Sequence, residues 1–298
     1  MIHGNQFAQE TLRKIVQSLD ANQENKAIFL LLTGPQNIGK TTFVQELMQE
    51  VLHMFYMQDF LFVQDMTSQI GKPHILKVGK HGVEGDIISS EDGSEHKDMT
   101  MREIIAWLQY SSAGSKKVIL LENIERMNTS SANAFLKAAE EPLLGRIIIA
   151  TTSHPSQIMQ TIVSRAILVP FQPLTDQEMQ QFAKDTNLQR ENTVLEKLFV
   201  RMSMGRPGML LQLSQLDSDL QKVFVQALQA LQEHRSAREQ QVALLAIHKA
   251  GYLHTFLDAW IAQTVKDSPE RVSPRLAIKK KLQTNVNVER LLLSAILA

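Results

Sequence analysis

Apolar positions along the chain follow two rhythms. The run Ile28–Thr33, IFLLLT, is apolar without alternation and stops abruptly at Gly34-Pro35. So short a continuous run suits a strand buried on both faces of a parallel sheet better than a helix. Past the glycines, Phe43, Val44, Leu47, Met48, Val51 and Leu52 recur at helical spacing, so the local order is strand, glycine loop, helix. Strand-like runs return at 74–78, 118–121, 147–152 and 166–169, with helical patterns between them over 99–110 and 131–140. This alternation predicts an α/β fold on a parallel sheet. The stretch 79–97, with Gly82, Gly85 and Gly93 among polar residues, reads as a loop or flexible hairpin.

After Pro170 and Pro173 the strand rhythm ends, and Thr175-Asp176-Gln177-Glu178 has the T-x-x-E form of a capping box that opens a helix. From there to Ala298 only helical patterns remain, broken at Gly205-Arg206-Pro207-Gly208. The expected organisation is an α/β core over 1–172 followed by a small helical unit and a longer helical region, divided around 205–208. The apolar stretch 286–297 needs something to pack on.

Composition narrows the class without naming a chemistry. Hydrophobic residues make up 44% and charged residues 21%, as in an ordinary soluble protein. Lys plus Arg equals Asp plus Glu at 31 each, so no bulk attraction to nucleic acid or anionic membrane is expected, and any DNA contact must be local or shared. Without cysteine, disulfides and thiolate metal sites are excluded. The first residues have neither a basic nor an apolar leader region, and no stretch has the length of a membrane span, so a cytoplasmic protein is expected. Aromatic content of 6% argues against a stacking platform for single-stranded bases.

Candidate chemistry starts in the glycine loop. Gly34-Pro35-Gln36-Asn37-Ile38-Gly39-Lys40-Thr41 is a complete P-loop between a strand and a helix. The glycines let backbone N–H groups turn inward on phosphates, Lys40 supplies a cation, and Thr41 a hydroxyl for Mg²⁺. The expected nucleotide contacts are Gly34, Pro35, Asn37, Ile38, Gly39, Lys40, Thr41 and Thr42, with ATP and Mg²⁺ as ligands. Such a site also needs an acid at the end of a neighbouring buried strand. Lys117-Val118-Ile119-Leu120-Leu121-Glu122 provides it, and Thr41 with Glu122 forms the expected Mg²⁺ pair. A polar residue that merely ends a buried strand is the plain alternative for Glu122.

Further motifs follow in a fixed order: Asn123-Ile124-Glu125-Arg126-Met127, then the run from Ser131 through Asn133-Ala134-Phe135-Leu136-Lys137 to Glu140-Glu141-Pro142, then Ile147 to Thr152, then Ile162-Val163-Ser164-Arg165. Taken together they resemble the AAA+ subunits of bacterial clamp loaders, those of the delta prime type in the DNA polymerase III family above all. The resemblance covers Gln6 to about Leu213, and Asn285 to Leu293 is similar to that family's last collar helix. On its own, 131–140 is an amphipathic helix with an N-cap and a proline stop. The resemblance implies a small helical lid over 173–213 and an oligomerising collar over 214–298. It implies sensor 1 at Thr152, and at Arg165 an arginine finger acting on nucleotide held by a neighbouring subunit. A surface arginine paired with a carboxylate is the alternative for Arg165. The implied partners are delta and tau or gamma subunits, the sliding clamp and, through the complex, primed DNA.

Four departures qualify those expectations. Ala166 replaces the cysteine usual after Ser164-Arg165. Asn123 stands where active ATPases place a catalytic glutamate; an amide can orient a water but cannot accept its proton, so hydrolysis is expected to be weak or absent. At the sensor 2 position Gly208 replaces the arginine expected three residues after Gly205, and Arg206 is out of register. The four cysteines of the family's zinc module are missing; residues 54–71 carry Phe55, Phe60, Leu61 and Phe62 instead, so apolar packing is expected in place of zinc. His74, His81 and His96 match no common metal spacing, and Lys279-Lys280-Lys281 with Arg275 reads as a solvated helix face, with a DNA or partner contact as the alternative. The reading from another class is an active AAA+ ATPase, a clamp-loader motor subunit or a DNA-remodelling enzyme, against which Asn123 and Gly208 argue.

Overall fold

The computed structural model describes residues 4–21, 27–51, 60–65, 76–79, 97–110, 117–140, 143–186, 188, 193–232, 236–253, 255–257 and 260. The chain divides into two compact units, Met1–Pro173 and Leu174–Ala298.

The first unit is built on strands β1 (Ile28–Thr33), β2 (Phe60–Asp65), β3 (Leu76–Gly79), β4 (Lys97–Met99), β5 (Lys117–Leu121), β6 (Arg146–Thr152) and β7 (Ile167–Pro170). They form one sheet in the order β4-β3-β2-β5-β6-β1-β7. From β2 to β7 all neighbours run parallel, as the apolar runs predict. At the other edge β3 pairs antiparallel with both β2 and β4, so the sheet is mixed. β2 was not expected as a strand: 60–65 falls inside the stretch read as apolar packing in place of zinc. It pairs with β5 because Leu61 and Val63 serve one face and Phe62 the other.

Successive residues of each central strand face opposite sides, which fixes two apolar layers. Leu30, Leu32, Val118, Leu120, Ile147 and Ile149 pack with residues of helices α1 (Gln6–Ala21) and α2 (Lys40–Val51). Leu31, Ile119, Leu121, Ile148 and Ala150 pack with residues of α3 (Met101–Gln109), α4 (Thr129–Glu140) and α5 (Gln160–Val163). Helix α4 starts two residues before the expected Ser131, because the Asn128 side chain accepts from the Ser131 N–H and so serves as its cap. Parallel register sets Thr33 beside Thr152 and Leu121 beside Ala150, so the carboxyl ends of β1, β5 and β6 open on one side, where α/β sheets bind ligands.

The second unit comprises helices α6 (Asp176–Asp185), α7 (Thr193–Ser203), α8 (Pro207–Ser214), α9 (Ser218–Gln232) and α10 (Ala237–Lys249). The Thr175–Glu178 capping box opens α6 as expected. One apolar cluster, centred on Phe199, Phe224 and Phe256, draws residues from Leu174 to Leu257, on both sides of position 213. Residues 261–298, with the basic run at 279–281 and the apolar tail, lie outside the described residues, as do His74, His81, His96 and most of 54–71.

Candidate functional site: a P-loop beside two strand ends

Gly34 leaves β1 at φ +146°, and a Cβ there would lie 2.4 Å from the carbonyl oxygen of Phe171 just past β7. The first glycine is therefore demanded by the backbone passing beneath it as well as by the loop. Asn37 at φ 61° and Gly39 at φ +100° hold positive φ, where asparagine and glycine cost least. Ile38 is buried and pins the loop to the sheet. The chain then enters α2 at Lys40, followed by Thr41 and Thr42.

Lys40 is 6% exposed, and its ammonium donates to the carbonyls of Gly34 (2.7 Å) and Pro35 (2.8 Å) and, at 3.4 Å, to the Ser153 hydroxyl. Burial lowers its pKa from 10.5 to about 8, against the opposing pull of Glu125 and then Glu122. The Thr41 hydroxyl donates to Glu122 Oε1 at 2.7 Å, so the structure brings together the hydroxyl and carboxylate expected to hold Mg²⁺. Hydroxyl and carboxylate beside a buried cation fit a phosphate chain with an aquated divalent ion. Among the described residues no group of three or more His, Cys, Asp or Glu could hold a metal ion by itself.

Asn123 has φ 54° and ψ 55°, the left-handed region, and its N–H donates to the Thr151 hydroxyl at 3.2 Å. Left-handed backbone is strained for a glutamate and tolerated by asparagine. This turn starts a 3₁₀ segment, Ile124–Arg126, that carries Glu125 to the site. The Glu125 side chain is 4% exposed; its Oε1 accepts the Ser153 N–H at 3.1 Å and lies 3.5 Å from His154 Nδ1. Its Oε2 is buried, with no hydrogen-bond partner among the described residues. Burial acts to raise the Glu125 pKa, but the N–H groups of Glu125 and Ser153, the Thr152 side chain and His154 outweigh it and hold the carboxyl below its usual range.

Thr152, the expected sensor, is fully buried; its oxygen accepts from the His154 N–H at 3.1 Å, and its side chain helps hold Glu125 ionised. Ser153, the next residue, is the one that reaches Lys40. The sequence reading missed Glu125 and Ser153. A signal for both existed in two polar residues just past buried strands, but only the left-handed turn at Asn123 brings the carboxylate back to the sheet.

Arg165 follows α5 and is not part of this cluster. Its guanidinium donates to Thr161 O at 2.6 Å and to Glu140 Oε1 at 2.8 Å, with the two side chains 35% and 46% exposed. A surface arginine paired with a carboxylate is thus present, at an exposed site where such a bridge contributes about 0–1 kcal/mol. In the second unit Gly205 has φ 72°, Arg206 caps α8 and turns its Nε onto Ser203 O at 2.9 Å, and Gly208 carries no side chain toward any site.

Comparison with known proteins adds the family. A gamma subunit of DNA polymerase III from Buchnera aphidicola (subsp. Acyrthosiphon pisum) is 30% identical over 156 residues, which is 52% of this chain and 41% of that protein. Delta prime subunits of DNA polymerase III from Pseudomonas aeruginosa and Bacillus subtilis are 37% and 36% identical over 68 and 59 residues, covering 22% and 20% of this chain and 21% and 18% of theirs. The chain therefore spans less than half the length of the relatives it matches. The family model described as DNA polymerase III, delta subunit, matches residues 7–175, more than half of the chain. With the P-loop, the Glu122 strand end and the later motifs all inside that span, the chain belongs to the DNA polymerase III delta subunit family.

Proposed function

We propose that this protein is a clamp-loader subunit of the delta prime type, one that binds ATP with Mg²⁺, hydrolyses it weakly or not at all, and acts mainly by position in a cytoplasmic hetero-oligomer. The observation that carries this reading is Asn123. It occupies a left-handed turn where an active ATPase of this kind places a catalytic glutamate, while Lys40, Thr41 and Glu122 keep the phosphate-binding arrangement. Lys40 would neutralise the β- and γ-phosphates, the loop N–H groups from Gln36 to Thr41 would surround them, and Thr41 with Glu122 would hold the metal. Mg²⁺, when bound, would supply charge neutralisation for the phosphates. With an amide at 123, proton removal from an attacking water lacks its usual base.

Arg165 would serve a neighbour as the arginine finger, stabilising charge at a nucleotide held by an adjacent tau or gamma subunit. The weak hold of Glu140 supports this role, because releasing an exposed pair costs little. The helices after Pro173 would form a lid, 173–213, and a collar, 214–298, that join delta and tau or gamma subunits in a ring working with the sliding clamp at primed DNA.

One observation favours the alternative of an active AAA+ ATPase: the similarity to a gamma subunit runs over 156 residues, longer than the delta prime alignments. Steady-state ATP turnover by the purified chain separates the two. The proposal expects nucleotide binding that is lost in Lys40→Ala and turnover near background. Turnover at motor-subunit rates, abolished by Lys40→Ala, would establish the alternative.

A further inference from the structure

Helices α3 and α4 pack on the same face of the sheet, yet they do not close on each other along their outer sides. Ala106, Ala134 and Ala138 face the space between them, and their methyl groups are too small to fill it. What remains is an open cavity of about 710 Å³, with Ile105, Leu108 and Ile148 in its lining. That lining follows α3 from Arg102 to Gln109 and α4 from Ser130 to Ala138, so the cavity is a groove ~10–12 Å long rather than a pit. Leu143 also lines it and is 48% exposed; Leu144 beside it is 72% exposed, and Tyr110, which caps α3, is 70% exposed. Single exposed apolar residues need no explanation, but three of them beside an apolar groove mark an interaction surface.

Charge states what such a groove would accept. Arg102 stands on the α3 wall, Lys137 on the α4 wall and Arg146 at the start of β6, and among the described lining residues there is no Asp or Glu. Arg102 and Lys137 are exposed and make no ion pair among the described residues. Arg146 spends Nε and Nη2 on Leu108 O and Tyr110 O, and its Nη1 makes no hydrogen bond among the described residues. In a chain whose positive and negative charges balance, cations on both walls of an apolar groove are a local asymmetry that selects an anionic partner. Duplex nucleic acid would meet the cations but has no apolar side chains for the floor. An acidic amphipathic helix meets both: its apolar stripe fills the groove, and carboxylates on either side of the stripe reach the two walls.

We propose that the groove between α3 and α4 is a docking site for an acidic amphipathic helix of a partner protein. The apolar residues of that helix would pack on Ile105, Leu108 and Leu143, and its carboxylates would pair with Arg102 and Lys137. The inference does not depend on nucleotide, so its failure leaves the reading of the P-loop untouched.

The test is fluorescence anisotropy on the full-length protein with three labelled probes: a peptide with leucines at helical spacing and glutamates between them, the same peptide with lysine for every glutamate, and a DNA duplex. Wild type should bind the acidic peptide with a Kd of about 10–100 µM, at least about tenfold more tightly than the lysine peptide. Arg102→Glu and Lys137→Glu, both exposed, should each weaken the acidic peptide by about fivefold or more. Ala138→Met fills the groove without changing charge and should weaken the peptide by a similar factor while leaving any DNA binding as it was. Leu143→Ser, a change at an exposed side chain, repeats that apolar arm if Ala138→Met does not fold. An acidic peptide that does not bind, or binds no better than its lysine counterpart, overturns the proposal. So does peptide binding indifferent to both Ala138→Met and Leu143→Ser, which would show surface attraction without a groove. Displacement of the peptide by duplex DNA, with DNA affinity lost in Arg102→Glu and Lys137→Glu, would give the cations to nucleic acid and overturn it as well.

Discussion

Single residues decide what the strand ends can do. Asn123 is held at φ 54°, so its replacements should follow backbone cost rather than side-chain size. Asn123→Ala should lose about 1 kcal/mol of stability, and Asn123→Gly distinctly less, in urea melts of the purified protein. The reverse order would show that the asparagine side chain, not the turn, is what the position selects. Lys40 titrates near 8 in the folded chain against 10.5 otherwise, because burial disfavours its charge. Between those values the unfolded chain binds the extra proton, so the group's contribution rises with pH: folding bears the cost of burying the charge below about 8 and is relieved of it above. Relative to Lys40→Met, wild-type stability should therefore increase from pH 7 to pH 10 by about 2 kcal/mol, allowing for partial solvation. A difference that stays flat or falls across that range contradicts the burial of a charged ammonium.

At the scale of elements, contacts between strands and the loops beside them carry the stability. Gly34→Ala forces a Cβ to 2.4 Å from Phe171 O, and backbone cannot yield there without displacing β7. The variant should lose more than about 2 kcal/mol, with amide exchange in β7 accelerated together with the P-loop. Arg146, 8% exposed at the start of β6, donates to Leu108 O at 2.6 Å and Tyr110 O at 2.9 Å, closing the C-terminal end of α3. Arg146→Met should cost about 2 kcal/mol and loosen α3 in hydrogen exchange, since those carbonyls lose their donors. The central strands were legible in the sequence for a plain reason: β1, β5 and β6 are buried on both faces, and their residues show it as unbroken apolar runs. β2 was less so, because Phe60–Asp65 has only three apolar residues in sequence after Phe60 and ends in the polar pair Gln64-Asp65. β4 is three residues, KDM, with no periodicity to read. In the site, Lys40, Thr41 and Glu122 were legible because spacing along strand and helix sets them together. Glu125 was not, since its approach depends on one left-handed residue and on hydrogen bonds from the loop after β6.

For the whole molecule, the question is where its nucleotide chemistry takes place. The P-loop holds a buried cation, Lys40, beside a hydroxyl and carboxylate joined by a hydrogen bond, Thr41 and Glu122. Arg165 stands apart from that site, held by an exposed carboxylate that can be exchanged for another anion at small cost. Glu140→Ala should accordingly leave folding within about 1 kcal/mol of wild type, measured by chemical denaturation. The decisive measurement is ATP turnover by an assembly reconstituted with delta and tau or gamma subunits, comparing wild type with Arg165→Ala and Arg165→Lys. The proposed role predicts that both variants still enter the assembly and bind nucleotide in their own P-loop, yet turnover falls, with lysine failing to restore it because it lacks the planar fork of the guanidinium. Full turnover with Arg165→Ala would contradict the account.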